Sequence, residues 1–238
     1  MGAASIDPEV TIGPLMPLVV FDLDGTLIDS RRDLADAANA LIVEHGGAPR
    51  SVEEISSMVG EGAALLVARA LKASGLEIDP RSALARFLEL YDERLLAHTR
   101  LYDGTREALG EIAGMAKLAV LTNKPQRPTD RILEGLGIGP MFDRAIGGDS
   151  QFPRKPNPAA LHHLMTTAGS GTDDTMLIGD SAIDLRTARA AGVRSCLVRY
   201  GFGFPGAASE VRGDDLIADS PADLVDIVRR ALSMDASD

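Results

Sequence analysis

Leu18-Val19-Val20-Phe21-Asp22-Leu23-Asp24-Gly25-Thr26-Leu27-Ile28-Asp29-Ser30 is the stretch whose reading decides the fold. Its opening run is apolar without alternation and too short for a core helix, which is the pattern of a parallel strand buried on both faces. The run stops at two acids separated by one leucine, and open α/β sheets take their ligands where such strands end. Gly25 allows a sharp turn and a close backbone approach at that point. A strand running out into a solvated acidic turn would account for one isolated Asp. It does not account for the three further segments of the same design downstream.

Working outward, residues 1–16 read as a loose leader with little periodicity. Arg31 to His45 carries apolar residues at helical spacing, and Gly46-Gly47 stops it. Helical patterns follow over Val52–Met58, Ala63–Ser74 and Pro80–His98, and no strand pattern appears between Asp29 and Thr99. From Thr105 onward helices alternate with short apolar strands at Lys117–Thr122, Phe142–Ile146, Thr175–Ile178 and Ser195–Arg199, and a helix closes the chain at Pro221–Leu232. Strands separated by helices call for a parallel, Rossmann-like α/β sheet with helices on both faces. The expected division is a core of residues 17–30 and 100–238 with an inserted helical cap over residues 31–99.

The 238 residues can bury a sizeable core, and 45% hydrophobic with 25% charged residues is ordinary globular composition. A net charge of −11 and the lack of a basic run argue against nucleic acid as a partner. The sole cysteine, Cys196, sits in an apolar run and reads as a buried hydrophobe. The N-terminal residues lack the basic start and apolar core of a signal peptide, and no apolar stretch is long enough for a membrane span. A cytoplasmic protein without a membrane partner is the expectation. His45, His98, His162 and His163 have no metal-ligand company and read as surface residues.

Four segments carry chemistry. Asp22 and Asp24 pair a carboxylate able to attack phosphorus with one able to shuttle a proton. Thr122, closing a strand in Leu121-Thr122-Asn123-Lys124, offers a hydroxyl to a charged oxygen. Arg154-Lys155-Pro156-Asn157-Pro158 sets a lysine among prolines before a helix. In Gly179-Asp180-Ser181-Ala182-Ile183-Asp184, two acids supply the hard oxygen ligands that Mg²⁺ prefers.

Asp22-Leu23-Asp24-Gly25-Thr26-Leu27 resembles the first motif of the haloacid-dehalogenase-like hydrolases, most of which are magnesium-dependent phosphatases. The other three segments match that family's later motifs in order, so the resemblance covers the chain from Pro17 onward. It implies Asp22 as nucleophile, Asp24 as acid/base, Thr122 and Lys155 as further catalytic groups, and Thr122, Asn123 and Lys155 as phosphate-binding groups. It also implies a Mg²⁺ site from Asp22, the main-chain carbonyl of Asp24, Asp180 and Asp184, the last direct or through water. Ile183 departs from the polar residue that relatives carry there.

Asp24 argues against a dehalogenase, which lacks the second acid. The single cap lysine, Lys72, shows no activation of the kind a phosphonatase needs. A sugar-phosphate mutase, a phosphatase for another small phosphate ester and a phosphate-binding module without turnover stay open. The segment Val59-Gly60-Glu61-Gly62-Ala63, with Arg69 beyond it, is similar to the specificity loop and helix of the phosphoglycolate phosphatases within the family. That likeness implies Gly60, Glu61, Gly62 and Arg69 as substrate-binding residues, 2-phosphoglycolate as the small phosphorylated metabolite, and Arg69 as the cation for its carboxylate.

Overall fold

A computed structural model describes residues 16–213 and 215–233, so the leader expected over residues 1–16 lies, but for Met16, outside the described residues. In chain order the elements are β1 (Leu18–Phe21), β2 (Ile28–Asp29), α1 (Arg31–Glu44), α2 (Val52–Ser56), α3 (Ala63–Ala73) and α4 (Pro80–Arg94). There follow β3 (Arg100–Leu101), α5 (Thr105–Ala113), β4 (Lys117–Leu121), α6 (Gln126–Gly135), β5 (Arg144–Ile146) and α7 (Ala159–Ala168). The chain closes with β6 (Thr175–Gly179), α8 (Ala182–Ala191), β7 (Arg194–Val198), α9 (Phe204–Ala207), β8 (Leu216–Ala218) and α10 (Pro221–Ser233).

Six strands form one parallel sheet in the order β5-β4-β1-β6-β7-β8. The opening strand is therefore central, with β4 on one side and β6 on the other, and the strand order reverses across it. A reversal of this kind opens a crevice at the carboxyl ends of the strands. Period-two alternation sends β1 side chains into two cores. Val19 and Phe21 join Leu118, Val120, Met176 and Ile178 in the layer that takes Leu109 and Ile112 of α5 and Val228 of α10. Leu18 and Val20 join Ala119, Leu121 and Leu177 in the layer against Leu161 and Leu164 of α7 and Ala188 of α8. Every β1 side chain is buried, which explains the unbroken apolar run.

Helices α1 to α4 occupy the interval between β2 and β3, which pair antiparallel as a two-residue ribbon. The ribbon escapes sequence reading because two residues carry no period. Likewise β8 and α9, three and four residues long, were not expected. Helix α4 stops at Arg94 rather than His98. The Asp33 carboxylate takes the amides of His98 and Thr99 and the Thr99 hydroxyl at 2.8–3.0 Å, drawing the chain off the helical path. Helix α7 starts at Ala159 rather than Asn157, because Asn157 Oδ1 accepts from the Ala159 amide ahead of the first turn. Cys196 is buried, and burial pushes its thiol up to about 12. His45, His98 and His162 are exposed, and His163 rests on the Phe152 ring. No helix among the described residues is long and apolar enough to cross a membrane.

Candidate active site

The carboxyl ends of β1, β4 and β6 deliver their chemistry into one crevice lined by Asp22, Asp24, Thr122, Asn123 and Asp180. Asp22 follows β1 directly, Thr122 follows β4 and Asp180 follows β6. Asp184 enters from the first turn of α8, and Lys155 from the loop before α7, where the Lys155–Pro156 peptide is cis.

One carboxylate oxygen from each of Asp22, Asp180 and Asp184 lies within 4.8 Å of the others, and all three residues are buried. Lys155 Nζ stands between two of them, 2.6 Å from Asp184 Oδ1 and 2.9 Å from Asp22 Oδ1. Asp184 Oδ2 accepts from the Ser181 amide at 3.0 Å and from the Ser181 hydroxyl at 2.6 Å, so both its oxygens have partners. Asp180 Oδ2 accepts from the Gly203 amide at 2.7 Å.

Three buried acids face one buried lysine here, and the electrostatics register the excess. Burial pushes the Asp22 carboxyl up to about 6, with Lys155 pulling it down and Asp184 pushing it up. Burial also lifts Asp180 well above its ordinary value, reinforced by Asp184 and Asp22. Burial alone would lower the Lys155 ammonium, but Asp184 and Asp22 hold it above its ordinary value. A compact set of hard oxygen donors with surplus negative charge fits a divalent cation, whose charge reverses the cost of burying the acids together.

Glycines make that closeness possible. A Cβ on Gly25, whose φ is +84°, would fall 1.9 Å from Asp180 Oδ2. One on Gly201 would fall 2.2 Å from Asp180 Cβ. The β1 turn and the loop after β7 thus close on Asp180 from two directions.

Asp24 stands apart from the three-acid group. Its carboxylate oxygens lie 3.0 and 3.1 Å from Lys124 Nζ, and Oδ1 also accepts from the Ser30 hydroxyl at 2.5 Å. Its side chain is thus held by Lys124 and Ser30 beside that group. Thr122 Oγ1 accepts from the Lys124 amide at 3.2 Å, and no acceptor among the described residues takes its hydroxyl proton.

Asn123 is spent differently from expectation. Its Nδ2 donates to Gly60 O and to Lys155 O, both at 3.0 Å, clipping the loop before α3 to the sheet. Gly60 and Gly62 line the crevice, but Glu61 and Arg69 do not. The Arg69 guanidinium pairs with Glu61 and donates to Met58 O at 3.2 Å. Arg69 thus lies with Glu61, eight residues back, at the edge of the loop before α3.

Two residues went unassigned in the sequence. Lys124 is 6% exposed and also donates to the Tyr91 hydroxyl at 2.7 Å, with its ammonium 4.6 Å from the Tyr91 ring centre. Burial alone would lower this ammonium, but Asp24 and Tyr91 hold it above its ordinary value. A lysine after a strand-end turn resembles any surface lysine. Tyr91, four residues after Phe87 and stacked on it at 5.9 Å, resembles any core aromatic. Only the fold brings them to Asp24.

The sequence profile described as Haloacid dehalogenase-like hydrolase matches residues 19–198. The chain is 42% identical over 192 residues to the phosphoglycolate phosphatase of Rhodospirillum rubrum, covering 77% of this chain and 80% of that one. It is 38% identical to the phosphoglycolate phosphatase of Pseudomonas putida, covering 92% of this chain and 80% of the relative. A crystal structure from Haemophilus somnus 129PT, described as a predicted phosphoglycolate phosphatase, superposes with a TM-score of 0.82 at 32% identity. That alignment covers 90% of this chain and 99% of the other.

Proposed function

Because this chain belongs to the haloacid dehalogenase-like hydrolases, we propose that it is a Mg²⁺-dependent phosphatase converting 2-phosphoglycolate to glycolate and phosphate. It is a phosphoric monoester hydrolase like its relatives. In this reading Asp22 attacks phosphorus and forms an aspartyl-phosphate while Asp24, as acid, protonates the departing alkoxide. Asp24 then takes a proton from water, whose oxygen attacks phosphorus, releasing phosphate and restoring Asp22. The Thr122 hydroxyl and Lys155 hold the phosphoryl oxygens through both steps. Asp22, Asp180, Asp184 and the Asp24 carbonyl would hold Mg²⁺, which offsets charge on the phosphate and the acids.

The observation that carries the reading is the group of three buried acids, two of them bridged by Lys155, beside a separately held Asp24. The substrate choice draws on the opposite wall. Leu34, Val59, Leu66, Phe87 and Leu88 give that wall an apolar face, interrupted by Lys124 and Tyr91. In this reading residues 31–99 serve as a cap over a core of residues 17–30 and 100–238, and the enzyme works in the cytoplasm.

A panel of phosphate esters assayed with Mg²⁺ tests it. 2-Phosphoglycolate should rank first, and a chelator should abolish turnover until Mg²⁺ is restored. A sugar phosphate ranking first would overturn the substrate, and turnover in excess chelator would overturn the metal.

A further inference from the structure

A short ester with a carboxylate at its far end brings two anionic groups into the crevice. The phosphate end meets Asp22, Thr122 and Lys155; the carboxylate needs donors of its own. Arg69 pairs with Glu61 and donates to Met58 O. Arg154 is exposed, donates to Gly148 O at 2.8 Å and rests its guanidinium against Gly62 at the rim of the crevice.

Lys124 is a second cationic side chain in the crevice, apart from the Lys155 that faces Asp22 and Asp184. Its ammonium carries three N–H donors. The Asp24 carboxylate straddles one direction at 3.0 and 3.1 Å, and the Tyr91 hydroxyl takes another at 2.7 Å. A third remains. The Tyr91 hydroxyl accepts from Lys124, and its own proton finds no acceptor among the described residues. Two neighbouring donors, one charged, thus stand among Leu66, Phe87 and Val59, which supply none. A carboxylate has two acceptor oxygens for such a fork, and its charge completes that of the ammonium.

We propose that Lys124 and Tyr91 together form the subsite for the substrate's carboxylate, a step that rests on the phosphoglycolate reading above. Lys124 comes from the turn after β4 and Tyr91 from α4, so the subsite is assembled only where the helical segment meets the sheet.

The test compares kcat/KM for 2-phosphoglycolate with that for 2-hydroxyethyl phosphate, which has the same carbon skeleton with an alcohol in place of the carboxylate. The wild-type enzyme should prefer the carboxylate. Lys124→Met should cut that preference by about 30-fold, the scale of a charge-assisted hydrogen bond, and Tyr91→Phe by roughly 5-fold. Both losses should fall mainly on KM. Equal losses on the two substrates would mean that Lys124 acts only through Asp24, and would overturn the proposal while leaving the substrate reading intact. A wild-type enzyme without preference would overturn both. Should Lys124→Met lack a cooperative melt, Tyr91→Phe decides alone, and an unchanged preference in it overturns the proposal.

Discussion

The two ends of the one parallel sheet carry charges of opposite design. At the amino end every named charge is answered. Lys117 Nζ donates to Ala168 O at 2.7 Å, closing the last turn of α7. Asp215, just before β8, accepts from the Arg212 amide at 2.7 Å, the Ser195 hydroxyl at 2.8 Å and the Arg189 guanidinium at 2.5 Å. Burial pushes the Asp215 carboxyl up, but these donors together hold it below the usual range. At the carboxyl end, burial instead pushes Asp22 and Asp180 upward, with one lysine among three acids. The same sheet therefore spends charge on stability at one end and keeps it poised for a ligand at the other.

Substitutions at the two ends should separate activity from stability. The largest effect is expected from Asp22→Asn: a kcat loss above about 10⁴-fold with no fall in melting temperature, since one acid leaves a crowded group. A drop in melting temperature matching the loss of activity would break the comparison. Gly25→Ala should come next. It forces a Cβ toward Asp180 and strains a positive φ, so the Mg²⁺ requirement measured by titrating activity should rise roughly 10- to 100-fold.

At the other end the order inverts. Asp215→Asn should cost about 2 kcal/mol of unfolding free energy at pH 7 in urea titrations while kcat stays near wild type. Because the folded-state value is depressed, that contribution is present above the ordinary Asp value. It is lost as pH falls through the lower folded value. The gap between wild type and variant should therefore close below about pH 4. A gap constant down to pH 2 would mean that packing, not charge, was lost. Smallest of all, Lys117→Met should cost about 1 kcal/mol and leave kcat untouched, as befits one hydrogen bond to a helix end.

The same contrast explains what was legible in the sequence. Asp22, Thr122 and Asp180 could be read because each ends an apolar run, and a central parallel strand leaves no other pattern. The four helices between β2 and β3 were legible as helices, but not their partners. Arg69 carries the charge a carboxylate wants, yet Glu61 lies within its reach. Lys124 and Tyr91 are 33 residues apart, and no local period records their meeting. Asp33, bound 65 and 66 residues away, escaped for the same reason. Local chemistry was visible; pairings made by folding were not.

The central claim is that Asp22 carries the phosphoryl group during turnover. Wild-type protein mixed with 2-phosphoglycolate and Mg²⁺, quenched in acid within the first turnover and mapped by peptide mass, tests it most directly. A phosphoryl group should appear on Asp22 before free phosphate accumulates and be absent from Asp22→Asn. Phosphate released while Asp22 stays unmodified, or a phosphoryl group on another side chain, would contradict it.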